Sequence, residues 1–113
     1  MTADERKRID NIIKEYLLAG IRIKILKAKI KYNEYNNCKS VSIRCNDKVN
    51  ELEKFRGIIQ SHVQNEYLEK LEIFKLDMVE ASEMLNVSTS TITKLKSKIR
   101  NEFIKVLDIV EAE

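Results

Sequence analysis

The sequence predicts an all-α protein: a small helical domain with a long N-terminal helix and a C-terminal helix-turn-helix. Three observations carry that expectation. The 113 residues include no proline and only two glycines, Gly20 and Gly57, so little interrupts a helix. Apolar residues recur at helical spacing along most of the chain. Residues 77–100 carry start, stop and start signals for two helices joined by a tight turn.

Taken in order, residues 4–32 form the first helix, with Ile9, Ile12, Ile13, Tyr16 and Leu17, then Ile23, Leu26 and Ile30, along one side. Residues 33–46 are the clear break, because Asn and Ser cluster there, and a loop or short extended piece is expected. Asp47 is placed to cap a second helix carrying Val49, Leu52, Phe55, Ile59 and Val63. A third helix over about residues 66–75 carries Tyr67, Leu68, Leu71 and Phe74, with Phe74 or Leu76 packed beneath the two helices of residues 77–100. This divides the chain into residues 1–46, a helix and loop serving as an oligomerisation or DNA-backbone arm, and residues 47–113, the helical domain proper.

Within residues 77–100, Asp77 is placed to act as an N-cap, and Glu80 at the third helical position comes close to a capping box. Ala81 and Leu85 share one face, with Met84 beside them. Asn86 stands where a turn between such helices usually carries Gly, and it is the next-best residue for a left-handed conformation. Val87 plugs the turn, and Ser88 caps the next helix. Ile92, Leu95 and Ile99 face inward, and Phe103, Val106 or Leu107, and Val110 continue their stripe.

The opposite face of that last helix has a different chemistry. Ser88, Thr89, Ser90, Thr93, Lys94 and Ser97 project from it, flanked by Lys96, Lys98 and Arg100. Between Ser88 and Asn101 there are four cations and no carboxylate. Short hydroxyl side chains let a helix sit deep in a DNA groove and bond base edges or phosphates, while lysines neutralise phosphate charge. The competing reading is a solvated amphipathic helix whose polar face is incidentally basic.

The run Leu85-Asn-Val-Ser-Thr-Ser-Thr-Ile-Thr-Lys-Leu-Lys-Ser-Lys-Ile-Arg100 resembles the helix-turn-helix of sigma factor region 4, and is similar to small phage late-transcription regulators of the ArpU/RinA type. The resemblance covers roughly residues 66–107 and is specific over 78–100. It departs mildly at Ser82, where a small Ala is usual, and at Asn86, where Gly is usual. It implies a phage- or mobile-element-encoded transcriptional regulator that binds double-stranded DNA, beside RNA polymerase. The equivalents of Ser88, Thr89, Ser90, Thr93, Lys94 and Ser97 would face the duplex. Two alternatives stand beside it: a DNA-packaging recognition subunit of the small-terminase kind, and a helical adaptor or polymerase-binding protein that does not read DNA.

Charge distribution agrees with a nucleic-acid partner more than the net charge of +3 does. Residues 1–33 hold nine cations and four acids, whereas residues 34–77 hold seven and eight. Arg22, Lys24, Lys27, Lys29 and Lys31 form a basic ridge on the first helix, read as lysine stems over a bundle, a DNA-backbone contact or the edge of a partner-binding helix. The long stripe from Ile9 to Ile30 exceeds the needs of a small core, so a homodimer is expected. No signal peptide and no membrane-length apolar run is apparent, which predicts a cytoplasmic protein with Cys38 and Cys45 reduced. One histidine, His62, and a C-x6-C spacing make no convincing zinc site. No phosphate-cradling loop or nucleophile–base set is present, and Glu66, Glu69 and Glu72 read as a solvated face, so neither catalysis nor a cofactor is expected.

Overall fold

The structure, a computed structural model, describes residues 1–36 and 39–111. Among the described residues every regular element is a helix, and there is no strand. α1 spans Ala3–Tyr35, α2 Lys39–His62, α3 Asn65–Leu68, α4 Met78–Leu85 and α5 Thr89–Glu111, with a 3-10 turn at Leu71–Phe74. The molecule measures 53 × 33 × 21 Å.

α1 begins one residue earlier than expected because Thr2 and Glu5 form a reciprocal capping box. Its inward positions, Ile9, Ile12, Tyr16, Ala19, Ile23, Leu26, Ile30 and Asn33, alternate at three and four residues. α2 answers with Ser42, Cys45, Val49, Leu52, Arg56 and Ile59 at the same spacing. Two such stripes pack as an antiparallel hairpin of coiled-coil type. The cross-links fix its direction: Tyr16 Oη accepts from Gln60 Nε2 at 3.1 Å, and Lys27 Nζ meets Glu53 at 3.0 Å. The Arg56 guanidinium lies over the Tyr16 ring, 4.2 Å from its centroid. Gly20 makes room for it, since a Cβ there would stand 3.1 Å from the guanidinium carbon.

Three expectations change here. Of the loop expected over residues 33–46, residues 33–35 belong to α1 and residues 39–46 to α2, while residues 37 and 38 lie outside the described residues. Asp47 therefore lies inside α2 and caps nothing, and the boundary expected between residues 46 and 47 falls within a continuous helix. The physical reason is packing. Ser42 and Cys45 are buried against α1, and this tertiary contact outweighs the weak helix propensity of the Asn- and Ser-rich segment. Cys45 is a buried free thiol, while Cys38 lies outside the described residues. The third change concerns residues 66–75. Leu71 and Ile73 are both fully buried, and two residues so spaced cannot share one face of an α-helix. The chain resolves this by splitting into α3 and the 3-10 turn.

The main hydrophobic core of the described residues sits at the open end of the hairpin. Ile9, Ile12, Ile13 and Tyr16 of α1 meet Ile59, Val63, Tyr67, Leu71 and Ile73, with Ala81 from α4 and Ile92, Ile99, Phe103, Val106 and Leu107 from α5. The apolar stripe of α1 is thus largely consumed within the chain. Beyond Leu17 the hairpin projects from this core as a two-helix arm, in which Ala19 and Ile23 of α1 and Cys45 and Val49 of α2 are buried. No helix of the described residues is long and apolar enough to cross a membrane.

Candidate nucleic-acid interface

α4, its turn and α5 form as the local chemistry dictates. Asp77 Oδ1 accepts from the Glu80 amide at 2.8 Å, and Glu80 Oε1 accepts from the Asp77 amide at 3.2 Å. The first of these bonds is the main reason the Asp77 carboxyl sits below its ordinary pKa. Asn86 adopts φ 54° and ψ 49°, and is the one non-glycine residue with positive φ among those described. The turn closes with the Val87 amide donating to the Ser82 carbonyl at 3.0 Å. Ser88 Oγ then accepts from the Thr91 amide at 3.3 Å and exchanges hydrogen bonds with the Ser90 and Thr91 hydroxyls. Ser88 is therefore chiefly a cap.

α5 buries Ile92, Ile99, Phe103, Val106 and Leu107, and half-buries Leu95 and Val110. That fixes the opposite face. Ser90, Lys94, Ser97 and Asn101 run down its middle at spacings of three and four residues, all exposed. Thr89, Thr93 and Lys98 lie beside them, also exposed. Thr93 Oγ1 donates to the Thr89 carbonyl at 3.3 Å, so its hydroxyl proton is already used. Between Ser88 and Asn101 the face is free of carboxylate, although the exposed Glu80 and Glu83 stand on α4.

The flanking cations differ from one another. Lys94 and Lys98 extend into solvent, with Lys98 Nζ 6.0 Å from the Tyr67 ring centroid. Lys96 is half-buried and its Nζ lies 5.6 Å from the Phe74 centroid. Arg100 is placed differently from its sequence grouping. Its Nε and Nη2 bond Asp10 of α1 at 2.8 and 3.2 Å, its side chain is only 12% exposed, and it stacks near Phe74 at 5.2 Å. It joins α5 to α1 rather than standing free.

Two neighbours escaped sequence reasoning. Asn101 continues the exposed line by one more turn, and its spacing from Ser97 and Lys94 is the signal that marks it. Arg6 reaches the same region from the other end of the chain. It lines a cleft of about 450 Å³ with Thr2, Thr93, Ser97 and Asn101. Nothing local in the sequence brings α1's first turn beside α5. Among the described residues, no group of three or more His, Cys, Asp or Glu could hold a metal ion.

No protein-family model, curated protein or solved structure matches the chain.

Proposed function

We propose that the protein is a sequence-specific, double-stranded-DNA-binding transcriptional regulator of the phage late-regulator kind, with α4, the turn and α5 acting as a helix-turn-helix. The observation that carries the reading is the acid-free, hydroxyl-and-cation face of α5, presented directly after a capped turn in which Asn86 is left-handed. In the proposed mechanism α4 braces the duplex backbone and α5 enters the major groove. Thr89, Ser90, Thr93, Lys94 and Ser97 contact base edges or phosphates, and Lys96 and Lys98 contribute electrostatic affinity. Ser88 shapes the helix start, and Arg100 holds the angle of α5 to α1. Contact with RNA polymerase, pairing of two copies on half-sites and a cytoplasmic location belong to the same proposal.

The test uses a pool of random-sequence duplexes, followed by selection of the preferred site. Binding should weaken steeply with salt. Thr93→Ala combined with Lys94→Ala should lose about 2–5 kcal/mol at the selected site by fluorescence anisotropy. Both residues are exposed, so circular dichroism should be unchanged. Undiminished affinity in the double variant would refute the assignment and favour a helical adaptor. A ring-sized mass in sedimentation would favour a packaging subunit.

A further inference from the structure

The outer face of α1 carries a second apolar seam that the fold leaves uncovered. Leu18, Ile21, Ile25, Ala28, Tyr32 and Tyr35 succeed one another at spacings of 3, 4, 3, 4 and 3 residues. All six are exposed, with Ile25 at 61% and Tyr32 at 68%. The seam is offset by two positions from the inward stripe of Tyr16, Ala19 and Ile23. Two residues are about 200° of helix rotation, so α2 cannot cover it. The alternation is that of a and d positions in a heptad repeat, and it runs for about 25 Å. It ends where the helix does, near Tyr35, and before Leu18 the corresponding positions become Lys14 and Asn11.

The borders of the seam say what it can accept. With Leu18, Ile25 and Tyr32 as a positions, the e and g positions alongside are Arg22, Lys24, Lys29 and Lys31. Every one is a cation, and among the described residues none of the four forms an ion pair. Lys27 belongs to the other side, where it pairs with Glu53 of α2. The basic ridge is therefore two rows of positive charge framing an apolar seam.

We infer that this face docks an acidic amphipathic helix of another protein, with apolar side chains at its a and d positions and carboxylates at e and g. Charge complementarity selects that occupant. A second copy of this chain would set e and g cations against e and g cations in either orientation, parallel or antiparallel, and like charges there oppose pairing. An anionic membrane would accept the cations, but interfacial helices present a broad apolar face, and an a/d seam is narrow. A DNA backbone would satisfy the lysines and leave Ile21, Ile25 and Tyr32 in water. The inference does not rest on α5 reading DNA.

The test measures fluorescence anisotropy of a labelled three-heptad peptide with Leu at a and d and Glu at e and g, titrated with the full chain. A twin peptide carries Lys at e and g. The Glu peptide should bind saturably and the Lys peptide should not. Ile21→Ser with Ile25→Ser should weaken binding by about tenfold or more. Arg22→Glu with Lys29→Glu should weaken it too and transfer preference to the Lys peptide. All four positions are exposed, so circular dichroism should stay native. No binding of the Glu peptide, equal binding of both peptides, or binding indifferent to these substitutions would overturn the inference. So would flotation with phosphatidylserine vesicles without peptide binding, or a dimer mass that falls to monomer in the Ile21→Ser, Ile25→Ser variant.

Discussion

The Asp10–Arg100 pair should brace α5 against α1, and a double-mutant cycle measures how strongly. Two opposite charges about 4 Å apart attract by about 4 kcal/mol at an effective dielectric of about 20. Desolvating the guanidinium, whose side chain is 12% exposed, and ordering both side chains offset much of that. Asp10 is 38% exposed, so water screens it further. The net coupling should be about 1–2 kcal/mol, above a fully exposed pair and below a buried one. Asp10→Ala alone should cost more, about 2–3 kcal/mol, because Arg100 is left beside Phe74 without a counter-charge.

The order of the variants is the sharper test. Arg100→Met puts an apolar side chain beside Phe74 in place of the guanidinium and removes the charge, so Asp10→Ala with Arg100→Met should be more stable than Asp10→Ala alone. Urea denaturation of the four proteins by circular dichroism gives the cycle directly. If the two substitutions add within about 0.3 kcal/mol, the pair is decorative and Arg100 returns to the set of free cations.

Asn86 is left-handed, so Asn86→Ala should destabilise by about 1–2 kcal/mol while Asn86→Gly is near neutral, as read from thermal melts. Asp77 has a lowered pKa, chiefly because its carboxylate accepts the Glu80 amide. Its contribution is therefore present above the unfolded value of about 3.9 and is lost as pH falls through the lower folded value. Asp77→Asn, which still caps but does not titrate, should flatten that acid limb in melts taken between about pH 2 and 5. Ile99 is fully buried and Leu95 only half so. Ile99→Ala should cost about 2–5 kcal/mol and Leu95→Ala visibly less, and the reverse order would mean that α5 is misregistered.

The region from Asp77 to Ser88 was legible because its determinants are local. A capping box, a left-handed Asn and a hydroxyl cap each act over three or four residues, and each forms between the partners that the spacing predicts. The long first helix and the inward stripe of α5 were legible for the same reason. What could not be read locally was settled across the chain. The pairing of Arg100 with Asp10 spans 90 residues, and α1's first turn reaches α5 over a similar separation. No pattern in either segment alone announces those contacts.

The misread loop at residues 33–46 has a different cause, and it bears on how α1 should be understood. Ser42 and Cys45 continue the heptad spacing of Val49, Leu52 and Ile59, but they are small or polar, so a hydrophobicity pattern overlooks them. The outer seam of α1 lies outside the expected stripe. That stripe runs through Ile9, Ile12, Ile13, Tyr16, Leu17, Ile23, Leu26 and Ile30, and its length suggests a dimer, whereas Leu18, Ile21 and Ile25 stand apart from it. Phase separates them into two seams on opposite faces. The inner one is closed by α2, and the outer one is framed only by cations. A self-pairing helix would carry carboxylates among those framing positions. Their absence there is the reason to look for the partner of α1 in a different, acidic chain.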